Sequence, residues 1–475
     1  MLVQSFSGIR GVYGKALTDD IARRYAFLYR RFVKKRAKKE PTIVIGSDTR
    51  PSCRNLKKAM IDSLVNIIDV GVMPTAAIEF AVRHYKADGG IIITASHNEP
   101  EWNGFKFLDK DGAILRVKDS EKLIDEFNKI KNIPEAVFLK DFLYKEKTLK
   151  IKKIIGKQSD LMIKYHNYLV KLIGKDHIKK IRKANLKVLL DPNGGAGVIA
   201  EDILTKMGIR NIAINNHPGE YKRKVEPIRE TLSYLAPIAE KHKVDLAAGF
   251  DCDADRIKLV LPDGTYLSGR YILALAVEDV LLSLKHPEKQ VIVTNDATSS
   301  MVKDVAEGFG AKIKEVEVGE INVVDEMRKH NSKVGGEGSN GGVIIPPNRC
   351  RDGILTLLLI MNVMATQKKP LKKIIGKLPK YSTPKKNIKV NPKRLKSIKE
   401  KIKRYYSKKD CKILDSKDPF GTLKIWIGDS WIFFRTSRTE HSVFRIITDA
   451  PSEKLAKKLL KEAIRVSNPQ SSKKP

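Results

Sequence analysis

Three segments of this chain share one design, and they narrow the fold more than any other feature. Pro41-Thr42-Ile43-Val44-Ile45-Gly46-Ser47-Asp48 is an apolar, β-branched run that ends in Gly and Asp, with a helical pattern behind it. Residues 186–195 (LKVLLDPNGG) and 290–297 (QVIVTNDA) repeat the arrangement at spacings of about a hundred residues or more. Buried strands followed by polar turns and helices mark α/β units, because a strand covered on both faces is apolar along its whole length. Three such openings predict three similar α/β domains in tandem. The 475 residues suffice for three or four domains, each with its own core. Residues 89–94 (GGIIIT) and 244–250 (VDLAAGF) read as further core strands, and residues 333–336 as the end of another. Each runs into a polar loop, and in open α/β sheets ligands gather beyond the carboxyl ends of strands.

After about residue 380 the style changes. Residues 422–427 and 431–435 read as strands about a tight Gly428-Asp429-Ser430 turn, and 443–448 as a third. Residues 453–466 read as a helix with Leu455, Leu459, Leu460 and Ile464 on one stripe. A smaller α+β domain is expected here.

Composition excludes several classes. No apolar run reaches the roughly 18 residues of a membrane span. The N-terminus lacks a basic n-region and an apolar h-region, so a cytoplasmic location is expected. Cys53, Cys252, Cys350 and Cys411 are widely spaced with no CxxC pair, which argues for reduced thiols over a structural zinc site. The net charge of +36 points towards polyanions. Stretches such as Arg30-Arg31-Phe32-Val33-Lys34-Lys35-Arg36 look like solvated helix faces instead. The richest block, 372–412, holds seventeen Lys and Arg but few aromatics that could stack on bases. A nucleic-acid partner is therefore not expected, whereas the field would draw in phosphorylated substrates.

Four loops carry chemistry. In Thr94-Ala95-Ser96-His97-Asn98, Ser96 closely follows a buried strand that would hold it rigidly, though a capping serine reads the same. No GxSxG elbow surrounds it, so a hydrolase triad is unsupported. His97 could be a base or a packing residue. In Asp251-Cys252-Asp253-Ala254-Asp255-Arg256, three carboxylates at i, i+2 and i+4 can converge on one hard divalent cation, which relieves their repulsion. Arg256 and Pro262 stand where an EF-hand needs Gly and Glu, and Asp255 stands where a haloacid-dehalogenase nucleophile motif has Thr or Val. Oxygen-only ligands favour magnesium over zinc. In Gly335-Gly336-Glu337-Gly338-Ser339-Asn340-Gly341-Gly342, the residues Glu337, Ser339 and Asn340 suit sugar hydroxyls, although a flexible glycine loop would look alike. In Arg435-Thr436-Ser437-Arg438-Thr439-Glu440, cationic and hydroxyl donors could form a cup for phosphate, or merely a hairpin connection.

Together, and in this order, the loops closely resemble the α-D-phosphohexomutase superfamily. The opening Ser7-Gly8-Ile9-Arg10-Gly11 and the stretch Asn103-Gly104-Phe105-Lys106 behind the serine loop match it as well. The resemblance implies three related α/β/α domains and a smaller C-terminal domain around a central cleft, divided as 1–150, 151–263, 264–378 and 379–475. It implies an isomerase that interconverts hexose 6-phosphate and hexose 1-phosphate through phosphoserine at Ser96 and a 1,6-bisphosphosugar. Asp251, Asp253 and Asp255, with the Ser96 phosphate, would hold Mg²⁺. Arg10, Lys106 and Arg256 would be cations near that phosphate, with Lys106 a general acid/base of depressed pKa. Glu337, Ser339 and Asn340 would grip the sugar, and Arg435, Ser437 and Thr439 the non-reacting phosphate. A hexose 1,6-bisphosphate would serve as activator, in a monomer or homodimer. The Lys-rich block would tether a C-terminal domain that closes on substrate. The glycine-rich sugar loop without His is similar to the phosphoglucosamine-mutase-like branch. Glucose or mannose phosphates remain the alternative, and a magnesium-dependent sugar phosphatase a remote one. Cys252, Arg438 and His441 depart from the family pattern.

Overall fold

The computed structural model describes residues 1–146, 153–416, 418, 420–436 and 442–468. Each of the three predicted openings forms a strand: Thr42–Ser47, Lys187–Asp191 and Val291–Asn295. Each sits at the same place in its sheet. In the first sheet Thr42–Ser47 lies between Asn66–Val72 and Gly89–Ile93, parallel to both, and Trp102–Leu108 runs antiparallel beyond Gly89–Ile93. In the second, Lys187–Asp191 lies between Arg210–Ala213 and Leu246–Phe250, with Ile257–Val260 antiparallel beyond. In the third, Val291–Asn295 lies between Lys312–Val316 and Gly335–Gly336, with Val343–Ile344 antiparallel beyond. The three α/β domains are thus one design used three times. In each, the turn between the last parallel strand and its antiparallel partner is one of the chemistry-bearing loops: 94–101, 251–256 and 337–342.

The first sheet is widened to seven strands by Val3–Ser5, Gly8–Val12 and Lys153–Gly156. The last of these pairs with Asn66–Val72, so this sheet reaches past residue 150. The second sheet likewise takes in Tyr266–Leu267, past residue 263.

The helices follow their apolar periodicity. Gly353–Gln367 is capped by the Asp352 carboxylate, which accepts from Leu355 N, and is buried on nearly every side because Leu, Ile, Met and Val run all round it. Residues 385–449 form a separate five-stranded antiparallel sheet with Leu395–Tyr406 and Glu453–Ser467 packed on it. The Leu455 stripe is rotated from expectation. Leu455 is 39% exposed, and the buried face is Ala456, Leu459, Ala463 and Val466.

Two readings of the basic stretches are corrected. Arg30 is fully buried in the helix Asp19–Ala37, because two acids, Glu40 and Glu146, pair with it as the domain folds round the helix end. The Lys-rich block is largely part of the C-terminal domain rather than a tether to it. It supplies the strand Lys385–Lys389 and the helix Leu395–Tyr406, and buried Lys399 donates to the carbonyls of Asp418 and Gly421 at 2.7 Å each. The four cysteines are free. Among the described residues no helix is long and apolar enough to cross a membrane.

Candidate active site

The three equivalent loops meet where the domains touch. Ser96 lies three residues beyond the strand Gly89–Ile93, with a φ of 53°, a left-handed conformation uncommon for a residue other than glycine. Ala254, at the turn of the second loop, has a φ of 52°. The Ser96 amide donates to Thr94 Oγ1 at 2.8 Å, and its hydroxyl donates to Asp251 Oδ2 at 3.2 Å. Arg50 fixes the loop from behind. Its buried guanidinium donates to the carbonyls of Ser96, Asn98, Glu99 and Trp102, and pairs with Asp48 at 3.1 Å.

In the second loop one carboxylate oxygen each of Asp251, Asp253 and Asp255 lies within 4.8 Å of the other two, and all three residues are buried. Burial and the two neighbouring acids push the Asp251 carboxyl well above the usual range. Burial works in the same direction on Asp255, but Arg351, Lys106 and Arg256 outweigh it and hold that carboxylate low. Asp253 Oδ1 and Asp255 Oδ1 are buried without a hydrogen-bond partner. A buried oxygen-only triad with two unsatisfied oxygens fits a hard divalent cation such as Mg²⁺.

Around the triad stand the predicted cations. Lys106 Nζ lies 2.7 Å from Asp253 Oδ2 and 3.4 Å from Asp255 Oδ2. Burial alone would lower its pKa, yet Asp253, Asp255 and Glu320 outweigh burial and raise it above the ordinary lysine value. The expectation of a depressed pKa is therefore corrected: this site is rich in carboxylates, not crowded with cations alone. Arg256 Nε is 3.8 Å from Asp251 and 3.9 Å from Asp255, and Arg10 donates to Asn98 Oδ1 at 3.2 Å. His97 is held neutral because Arg256, burial and Arg10 push its pKa well below the ordinary value.

The sugar loop is not flexible packing. Its glycines let it lie directly on the metal loop: a Cβ on Gly342 would stand 2.1 Å from Asp255 O, and one on Gly341 2.1 Å from Ile257 O. Glu337 is 4% exposed. It accepts from Asn295, Gly319 N, Asn340 and Arg351, which fixes the orientation of the loop. Ser339 and Asn340 line a cavity of about 490 Å³ that Arg256, Lys258, Arg270 and Lys385 also border. Arg435 is buried against Glu317 and Val318 O of the third domain. Ser437, Arg438, Thr439 and His441 lie outside the described residues.

Several site residues escaped the sequence reading. Arg351 joins the loops, donating to Asp255 Oδ2 at 2.8 Å and Glu337 Oε2 at 2.5 Å while its Nε pairs with Glu320 at 3.1 Å. Thr75 Oγ1 donates to Asp253 Oδ2 at 2.8 Å. Arg50 follows the first strand opening in Asp48-Thr49-Arg50, and Arg351 immediately precedes the capping Asp352; polar residues at such termini were the available signal. Cys252, the departure in the metal loop, turns its sulfur away from the triad to Tyr221 OH at 3.4 Å.

The descriptions of three family models match this chain: phosphoglucomutase/phosphomannomutase α/β/α domain I over residues 3–134, domain II over 164–264 and domain III over 268–381. The chain is 32% identical over 467 residues to a phosphoglucomutase/phosphomannomutase of Thermococcus kodakarensis, covering 97% of each. It is 28% identical over 467 residues to a phosphoglucosamine/phosphogalactosamine mutase of Sulfurisphaera tokodaii, covering 96% of each. The crystal structure of a phosphoglucomutase/phosphomannomutase family protein from Burkholderia thailandensis superposes with a TM-score of 0.78 at 21% identity, over 98% of this chain and 97% of that one. Fold and site thus define an isomerase of the phosphomutase class. The chain belongs to the phosphoglucomutase/phosphomannomutase family, within the α-D-phosphohexomutase superfamily.

Proposed function

We propose that this phosphohexomutase interconverts glucosamine 6-phosphate and glucosamine 1-phosphate, using Ser96 as the phosphoryl carrier. The carrying observation is the placement of a strained serine against an acidic triad: Ser96 Oγ is 3.2 Å from Asp251 Oδ2, across two domains. An Mg²⁺ held by Asp251, Asp253, Asp255 and the Ser96 phosphate would supply charge neutralisation as the phosphoryl group leaves.

The chain's own residues do the rest. The O–P bond of phosphorylated Ser96 breaks and an O–P bond to the sugar's free hydroxyl forms, giving a 1,6-bisphosphosugar. After the intermediate turns round, its other phosphoryl group returns to Ser96. Such transfer has a loose transition state, so positioning and charge dominate. Arg50 holds the Ser96 loop still; Arg10, Arg256 and Lys106 place positive charge beside it. Lys106 keeps its proton, since two carboxylates oppose its loss. In net terms the sugar hydroxyl gives up its proton as its new O–P bond forms, and Ser96 Oγ takes one up as its own O–P bond breaks; His97, held neutral by Arg256, burial and Arg10, is a poor acceptor for that proton. Ser339 and Asn340 meet the sugar hydroxyls in either orientation, on a loop set by Glu337. Arg435, with Ser437 and Thr439, anchors the phosphate that is not reacting. A hexose 1,6-bisphosphate restores the phosphate on Ser96 when it is lost.

The glycine-rich loop without His and the named activity of the Sulfurisphaera relative support the amino sugar. The name of the Thermococcus relative favours glucose or mannose phosphates as the second reading. Phosphorus NMR tests both, with magnesium, a trace of glucose 1,6-bisphosphate, and glucosamine 6-phosphate, glucose 1-phosphate and mannose 1-phosphate offered in parallel. Fastest interconversion of glucosamine 6-phosphate is expected. Release of free phosphate without interconversion would replace the mutase with a phosphatase.

A further inference from the structure

The repeated design carries an unassigned lysine. In the first domain Lys106 lies opposite Ile92, the penultimate residue of the last parallel strand. In the second, Lys258 lies opposite Gly249, the penultimate residue of the equivalent strand. The two lysines hold one register position in two copies of one sheet, so they project from equivalent places. Both are nearly buried, at 7% and 6% exposure. Each reaches across a domain boundary to the loop of the next domain. Lys106 reaches the second domain's acidic triad. Lys258 Nζ donates to Ser339 O, at the tip of the third domain's sugar loop, at 2.8 Å. In the third domain the position opposite Gly335 is Ile344, where the series ends.

We propose that Lys258 is a positioning residue for sugar recognition: by holding the Ser339 peptide it presents the side chains of Ser339 and Asn340 to the cavity. Three observations support this. Ser339 is exposed, and from within the loop it has only its own neighbour Asn340 as side-chain partner, at 3.3 Å, so the tip needs an outside hold. Gly341 packs so closely that a Cβ there would stand 3.0 Å from Lys258 Nζ, which fixes the amine and the loop together. Lys258 itself borders the cavity beside Arg256 and Lys385. Burial, Arg256, Lys385 and Arg351 lower its pKa to about 7 against the opposing pull of Glu226, and an amine donates a hydrogen bond in either protonation state. The hold therefore persists across neutral pH.

The inference rests on the mutase reading, and one experiment separates the two. Wild type, Lys258→Met, Lys258→Ala and Lys258→Arg are assayed with magnesium, glucose 1,6-bisphosphate and the hexose phosphate that the wild type turns over fastest. Loss of the donor in Lys258→Met should raise KM about tenfold, the worth of one hydrogen bond, with kcat changed less than about threefold. Lys258→Arg should restore most of the affinity. Phosphate on the Ser96 peptide, read by intact mass, should be unchanged in all. Should Lys258→Met not fold, Lys258→Ala carries the same expectation. An unchanged KM in whichever folds overturns the inference, as does a fall in kcat together with loss of phosphate from Ser96. A wild type that interconverts no hexose phosphate removes the mutase reading and this inference with it.

Discussion

Lys106 Nζ stands 2.7 Å from Asp253 Oδ2, so an ammonium already faces the triad that would take a divalent cation. Removing that charge should help the cation and harm the chemistry. Lys106→Met is expected to tighten Mg²⁺ binding by at least about 1 kcal/mol, since like unit charges about 4 Å apart repel by about 1 kcal/mol in water and about 4 kcal/mol in a protein. Turnover should fall at least about a hundredfold, because the phosphoryl group loses a cation. Calorimetric titration and the phosphorus NMR assay read the two effects. Metal affinity equal to wild type would show that the ammonium does not oppose the cation.

Ser96→Ala should abolish transferable phosphate and lower turnover by at least about a thousandfold, as expected for loss of a covalent carrier. Intact-mass detection of phosphate still on the loop peptide would sink the assignment. Asp253→Asn should weaken magnesium affinity and rate together, while Ser96 remains present.

Arg351 links three acids, two from the metal and sugar loops and one, Glu320, from the start of the helix Glu320–Lys329, and it is 6% exposed. Arg351→Met leaves Glu320 and Glu337 buried without the guanidinium that pairs them and removes one of the cations at Asp255. A loss of about 3–5 kcal/mol of stability is expected, measured by urea unfolding. Arg351→Lys should recover only part of it, because a single ammonium cannot bridge three carboxylates as a guanidinium fork does.

Lys258 predicts a pH dependence. Its folded pKa of about 7 lies below the ordinary 10.5, with burial the leading cause. Between these values the unfolded chain binds a proton that the native chain has released. Its contribution to stability therefore rises with pH from about 7 to about 10.5, by up to about 1.4 kcal/mol per pH unit. Below about pH 7 both states are protonated and the contribution is flat. Lys258→Met should lack this rise. Parallel stability curves for the two proteins over that window would refute the shift.

Gly342→Ala should cost more than about 2 kcal/mol and disturb the triad, because the new methyl would meet Asp255 O at 2.1 Å. Thermal unfolding and metal affinity should both change. A variant with wild-type values for both would mean that the loops are not packed as described.

The strand openings at 42–47, 187–191 and 291–295 were legible in the sequence because doubly covered strands are apolar at every position, a local signal. The metal triad was legible because its carboxylates are two residues apart and share one turn. Arg30 was misread because a basic helix face looks solvated until Glu40 and Glu146 arrive from elsewhere in the chain. Leu455 was misread because the stripe is set by which side meets the sheet, and the smaller Ala456 and Ala463 allow the closer approach. The sequence by itself thus determined the repeated units and the residue types of each loop, since both are written in short windows. Only the tertiary structure decided that the three loops occupy one position of one design. It also decided that Arg351 and Lys258 clamp neighbouring loops together, and that Lys106 stays charged. Those properties depend on carboxylates, carbonyls and burial supplied across domain boundaries, and interactions of that kind leave no local pattern to read.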